Sequence, residues 1–264
     1  MKTILLFLLV ITYTCPSSKI HASNYQPGDT LSVFSLKGIN LRENYGKSAN
    51  ILATLHLADQ VIVVENFQDN KTYFETIDGL QGYWVKVLYD SIVAYAFDAY
   101  LSSLPIPSNL TTTQKTNQGK YYENAKLIFA FENYLQEKFL HFCEPLYYYN
   151  TTGGETTSTF LKLQKLNRDF TKSSTSGWEF QSTELLMPNI RLAEITNLII
   201  LLAQYSDISS PTLNKIISDV KKIKENNQFF YPIHSSEFLK INIKKYPTNN
   251  NQLNYSLEII LITG

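Results

Sequence analysis

The chain has 264 residues, which is room for one large domain or two small ones. Charged residues make up only 17% of it, which argues against a disordered chain and against a coiled coil. Lys+Arg and Asp+Glu number 23 each and no segment concentrates positive charge, which argues against nucleic acid as a partner. The 18 Tyr and 15 Phe residues beside 10 Gly favour pleated strands, whose surfaces accept aromatic side chains.

The first 22 residues have the layout of a secretory signal. Lys2 precedes an apolar run over residues 4–14, and a polar stretch follows that ends near Ala22. The run is about half of the ~20 residues that a membrane span needs, so we expect no transmembrane segment in the mature chain. We expect cleavage after Ala22 and export to the periplasm, the cell envelope or the medium. Lipid attachment at Cys15 is the alternative, although the residue before it is not small.

Short β-type runs separated by polar breaks fill residues 28–107. Their spacing predicts seven strands without a helix, and therefore a small barrel or sandwich with hairpin connections. Turn residues lie between the runs, for example Asp78-Gly79 and Asp90-Ser91. The predicted strands are residues 30–36, 39–42, 51–57, 61–65, 73–77, 83–89 and 92–97.

Five blocks of this region resemble the bacterial SH3-like (SH3b) domain in order and spacing. They are Gly38-Ile39-Asn40-Leu41-Arg42, then residues 51–55 and 61–64, then Gly82-Tyr83-Trp84-Val85-Lys86-Val87, and finally residues 94–101. Two departures fall near the surface that would meet a ligand. Glu43-Asn44-Tyr45-Gly46 replaces the family's Ser-Gly-Pro, and Ala94 replaces a glycine. The segment over residues 67–80 is longer than the family's usual loop.

The resemblance implies binding, because such domains are known as cell-wall targeting modules for peptidoglycan or its peptide stems. Aromatic rings suit this role, since they bury area at low entropy cost and tyrosine hydroxyls can meet a polar ligand. Trp84 has an alternative role in the core, and Arg42 an alternative role in holding its turn. Phe97 is expected to pack inward with Val93. The candidate groove residues are Arg42, Tyr45, Tyr83, Trp84, Tyr95, Asp98 and Tyr100.

The second half begins after a segment of linker composition, residues 108–120. Apolar spacing predicts a helix over residues 121–141, and two more helices over 190–205 and from Ser210. Predicted strands are residues 147–149, 156–163 and 177–186, with a final hairpin of 238–246 and 253–262. This pattern predicts an α+β domain of unknown type over residues 121–264. The predicted fold class is therefore mainly β, a small SH3-like barrel followed by an α+β domain.

Residue types that carry chemistry are sparse in this half. Once the signal is removed, Cys143 is the one cysteine left, so no intramolecular disulfide is expected. Cys143 with His141 and His234 suggests a thiol hydrolase, but it lacks the strand-to-helix context of wall peptidases and is better explained as a small buried hydrophobe. His141 and Cys143 do not make a structural zinc site, which needs four ligands. No catalytic residue, metal or cofactor is predicted.

The sequence therefore predicts a non-enzymatic, exported bacterial envelope protein whose SH3-like domain binds peptidoglycan or a peptide. Two alternatives stay open at this point. One is a wall-peptide hydrolase that uses Cys143 and His234, and the other is a scaffold that binds protein partners.

Overall fold

The computed structural model describes residues 25–67, 70–108, 119–140, 145–153, 156–165, 168–177, 180–187, 190–206, 208–223, 230–235, 239–247 and 253–262. Within these ranges the chain is mainly β, with one antiparallel sheet of eight strands and a second of seven. The predicted signal with Cys15 and most of the predicted linker lie outside the described residues.

The first sheet is open and antiparallel, with strand order β3-β2-β7-β6-β4-β1-β8, and β5 pairs with β6. The seven predicted strands are confirmed with shifted ends, and a short eighth follows them. Asp78 and Gly79, which were predicted as turn residues, join β5 to β6 with φ of 52° and 87°. The strands are β1 Thr30–Val33, β2 Ile39–Arg42, β3 Ile51–Leu55, β4 Gln60–Glu65, β5 Phe74–Ile77, β6 Leu80–Tyr89, β7 Ile92–Phe97 and β8 Leu101–Ser102.

One face of this sheet forms the smaller core, in which Val85 and Val87 of β6 pack with Ala94 and Ala96 of β7. Because strand side chains alternate, Val93 points to the opposite, outer face and is 50% exposed. The prediction that Val93 packs inward is therefore wrong. Phe97 is buried as predicted, but on the outer face, in a cluster with Trp84.

The second half places three helices against a seven-stranded sheet with order β13-β14-β15-β12-β11-β10-β9. The three helices and the final hairpin are confirmed. The bounds are α1 Gly119–Leu135 with a π-helical extension Gln136–Leu140, β9 Pro145–Gly153, β10 Thr156–Lys165, β11 Arg168–Ser176, β12 Phe180–Met187, α2 Leu192–Tyr205, α3 Ser210–Lys221, β13 Phe230–Ser235, β14 Leu239–Pro247 and β15 Leu253–Ile262.

Helix α2 joins the two halves. Ten of its 14 residues are buried, which agrees with its apolar sequence on all sides. One side packs on the second sheet, and the larger core there also contains Phe34 and Leu104 of the first half. In the part of the chain that the structure describes, no helix is both long and apolar enough to cross a membrane.

Candidate functional site

Four aromatic side chains gather on the outer face of the first sheet. We call Tyr45, Phe67, Tyr73 and Tyr95 the aromatic surface. The rings of Phe67 and Tyr73 stack with centroids 4.0 Å apart and planes 10° apart. Tyr45 lies 4.6 Å from Tyr73 and 6.3 Å from Tyr95, again between ring centroids. Tyr45 is 39% exposed, so the surface presents aromatic area to solvent.

Strand register and turns position these rings. Tyr95 lies opposite Arg42 on β2 and Lys86 on β6, so all three share the outer face. Tyr45 belongs to the β2–β3 connection, which Arg42 closes by donating from Nη1 to the carbonyl of Ala49 at 2.6 Å. Arg42 therefore takes the alternative role of holding its turn. Tyr73 ends a 3-10 turn that Asn70 caps by accepting from the Thr72 amide at 3.0 Å.

The tips of the three tyrosines are polar hydroxyl groups. Among the described residues, no protein group forms a hydrogen bond with the hydroxyls of Tyr45, Tyr73 or Tyr95. Burial between the rings, together with Tyr95 and Tyr45, raises the pKa of Tyr73, so its hydroxyl is a neutral donor at physiological pH. The aromatic surface thus combines apolar area with hydrogen-bonding groups.

Asp98 lies in the interior, away from this surface, with 1% exposure. Its Oδ2 accepts from the Tyr25 hydroxyl at 2.6 Å and pairs with Nη1 of Arg191 at 2.8 Å. Its Oδ1 accepts from the Tyr83 amide at 2.7 Å. A Cβ on Gly82 would lie 2.5 Å from this Oδ1, so the close approach requires glycine. The predicted groove residue Asp98 is therefore fully engaged inside the protein.

Arg191 and Glu194, at the start of α2, complete what we call the buried ion network. Arg191 pairs through Nε with Glu194 at 3.0 Å and donates from Nη2 to the Leu101 carbonyl at 2.7 Å. Glu194 accepts from the Ser102 hydroxyl at 2.7 Å and from the Ser103 amide at 3.0 Å. The network fixes α2 on the end of the first sheet.

The other predicted groove residues lie elsewhere. Trp84 is 3% exposed, contacts Phe97 and donates from Nε1 to Glu75 at 2.7 Å, which is its alternative role in the core. Tyr83 lies edge-on to Phe74 with ring centroids 5.1 Å apart. Tyr100 donates its hydroxyl to Asp78 at 3.2 Å. Burial, followed by the charge of Asp78, raises the pKa of Tyr100.

Arg42, Trp84 and Tyr100 also line a groove between the first sheet and helices α2 and α3, which we call the sheet–helix groove. Its volume is about 480 Å³. Its walls carry the cationic side chains of Lys37, Arg42, Lys47 and Lys221 and the carboxylate of Asp78.

The aromatic surface was only half predicted. Tyr45 and Tyr95 were named from the SH3b resemblance, whereas Phe67 and Tyr73 were missed. The one sequence signal for these two residues is the adjacent aromatic pair Tyr73-Phe74 in the long segment of residues 67–80. That signal does not indicate which other side chains the rings contact after folding.

The described residues do not test the predicted hydrolase site. His141 and Cys143 lie outside the described residues, and His234 falls on β13. The described residues contain no cluster of three or more His, Cys, Asp or Glu side chains arranged for a metal ion. The hydrolase and scaffold alternatives stay predictions.

Comparison with known proteins gives no match: no family model, curated protein or solved structure is significantly similar to this chain.

Proposed function

We propose that this is an exported bacterial envelope protein that binds cell-wall peptidoglycan through the aromatic surface and catalyses no reaction. The observation that carries the proposal is the cluster of four rings, with centroids 4.0 to 6.3 Å apart, on an outer sheet face. Residues 1–22, with their signal layout, would bring the chain to the envelope.

We further propose that the first sheet is an SH3-like barrel. The proposal is supported by the agreement between the five SH3b blocks and the strands. The blocks coincide with β2, β3, β4, β6 and β7, and the last block runs on into the first residue of β8. β1 pairs with β4 on one side and with β8 on the other, so the first strand in the chain lies beside the last strand of this sheet.

The chemistry of the aromatic surface fits a wall polymer. Ring faces bury the apolar faces of sugars and the methyl groups of short peptides at low entropy cost. The hydroxyls of Tyr45, Tyr73 and Tyr95 add hydrogen bonds to sugar hydroxyls or peptide groups. Arg42 and Lys86 flank Tyr95 in register and supply positive charge for ligand carboxylates.

The test is co-sedimentation of the chain, residues 23–264, with insoluble peptidoglycan. We expect the wild type to pellet and Tyr45→Ala to bind about fivefold to tenfold more weakly, because one aromatic contact contributes about 1 kcal/mol. Tyr246→Ala is the matched control, since Tyr45 and Tyr246 are both 39% exposed and Tyr246 lies on β14 of the second sheet.

Each outcome decides something. Absence of the wild type from the pellet would contradict wall binding and favour the scaffold alternative. Equal weakening by Tyr45→Ala and Tyr246→Ala would remove the aromatic surface as the binding site.

A further inference from the structure

The sheet–helix groove has walls from both halves of the chain. The β1–β2 connection and the β5–β6 turn form one wall, and α2 and α3 form the other. The turn packs directly on the end of α3, because a Cβ on Gly79 would lie 3.2 Å from the Cβ of Lys221. A volume of about 480 Å³ is within the range of small-ligand sites.

The charge in the groove is strongly one-sided. It has four cationic side chains, while the carboxylate of Asp78 already accepts from Tyr100. No carboxylate among the described residues lies within ion-pair distance of Lys37, Arg42, Lys47 or Lys221. The whole chain has equal numbers of acidic and basic residues, so the excess of positive charge is local to the groove. A cleft lined by one sign of charge attracts ligands of the opposite sign, here anions.

The floor of the groove is apolar and carries one polar group. Trp84 and Phe97 of the first sheet and Ile200 and Leu201 of α2 all line it. Asn197 also lines the groove, and its amide nitrogen donates to the Ala99 carbonyl. Its amide oxygen has no hydrogen-bond partner among the described residues, so it is available to accept from a ligand N–H.

We propose that the sheet–helix groove binds a short acidic peptide, two or three residues long, with two carboxylates and an apolar side chain. The cations at the rim pair with the carboxylates, the floor takes the apolar side chain, and Asn197 accepts from a peptide N–H. The volume admits such a peptide and no folded domain. The proposal goes beyond wall binding by the aromatic surface, and Arg42 is the one residue that the two proposals share.

Isothermal titration calorimetry with two synthetic probes tests the ligand chemistry. N-acetyl-glutamyl-leucine carries two carboxylates and one apolar side chain, and N-acetyl-glutaminyl-leucinamide has the same shape without charge. We expect the first probe to bind at least about tenfold more tightly than the second, because charge-assisted hydrogen bonds to carboxylates are lost in the amide. Failure of the acidic probe to bind, or equal binding of the two, would overturn the proposal.

Variants on α3 test the location. Lys221→Glu keeps the Cβ and Cγ that pack at the Gly79 turn and reverses one groove charge. We expect at least tenfold weaker binding of the acidic probe with a small decrease in the urea midpoint, because a negative charge in the last turn of α3 is unfavourable beside the negative end of the helix dipole. Lys215→Glu changes the net charge equally at an exposed position of the same helix, outside the groove, and we expect it to leave affinity unchanged.

One result separates this proposal from the proposed function. Tyr45→Ala should keep its affinity for the acidic probe, because Tyr45 does not line the groove. Equal weakening by Lys215→Glu and Lys221→Glu would show a general charge effect and contradict the groove as the site.

Discussion

The buried ion network and the sheet–helix groove both lie where the first sheet meets α2, yet they treat charge in opposite ways. In the network, Arg191 has carboxylate partners at 2.8 Å in Asp98 and 3.0 Å in Glu194. In the groove, four cations line a cavity with no carboxylate paired to them among the described residues. Charges that are buried and paired hold the two halves together, whereas unpaired charges around a cavity are available to a ligand.

Replacing Arg191 should give the largest loss of stability. Arg191→Leu leaves the carboxylates of Asp98 and Glu194 buried without a cation, which costs about 3–5 kcal/mol. Urea unfolding of Arg191→Leu and of the wild type measures this loss in the free energy of unfolding. Arg42→Leu is the matched control at the groove, where the loss of the hydrogen bond to Ala49 costs about 1 kcal/mol. Equal losses would contradict the difference drawn between the two regions.

Gly82→Ala should have an intermediate effect on the same network. The new Cβ would lie 2.5 Å from Oδ1 of Asp98 and 2.8 Å from the Cβ of Ala99, so the carboxylate has to move from its position in the buried ion network. We expect a loss of about 1–3 kcal/mol in the free energy of unfolding. A double-mutant cycle with Asp98→Ala should show coupling, since the first clash is then absent. If the stability losses of Gly82→Ala and Asp98→Ala simply add, the Asp98 carboxylate is not what clashes with the new Cβ.

Tyr100→Phe should have the smallest effect, because it removes one exposed hydrogen bond to Asp78, for about 0.5–1 kcal/mol. The contribution of the Tyr100 hydroxyl to stability depends on pH. Burial and Asp78 raise the pKa of Tyr100 above the ordinary 10.0, so the folded protein keeps a proton that the unfolded chain loses. This contribution is complete below pH 10 and is lost as pH rises above it.

Unfolding midpoints at about pH 9 and about pH 11.5 check this expectation, and the wild type should lose more stability over that interval than Tyr100→Phe. The same loss in both proteins would show that Tyr100 does not contribute to the alkaline sensitivity.

The strands of the first sheet were predictable because apolar alternation and turn residues coincide, as at Asp78-Gly79. β11 and β13 were missed for physical reasons. β11, with the sequence RDFTKSSTS, has one apolar residue, and its strand conformation depends on pairing with β10 and β12 on both sides. β13 contains Pro232 and lies at the sheet edge, where β14 is its one strand partner among the described residues.

The site was less predictable than the strands. The SH3b resemblance placed Asp98 beside a ligand, but its partners Tyr25 and Arg191 lie far from it in the sequence, one before it and one after, and no local pattern joins them. Tyr45 and Tyr95 lie in the SH3b region, whereas Phe67 and Tyr73 follow no periodicity and meet the other rings only after folding.

The position of α2 between the two sheets also affects how the protein can be divided. A fragment ending at residue 107 would keep every strand of the first sheet but leave the carboxylate of Asp98 without Arg191 and uncover Phe34, which is 1% exposed in the whole chain. Such a fragment carries a buried charge and a bare aromatic face, and both favour aggregation. A transferable unit that carries the aromatic surface therefore has to include α2, and α2 brings with it the second sheet, with which it shares the larger core.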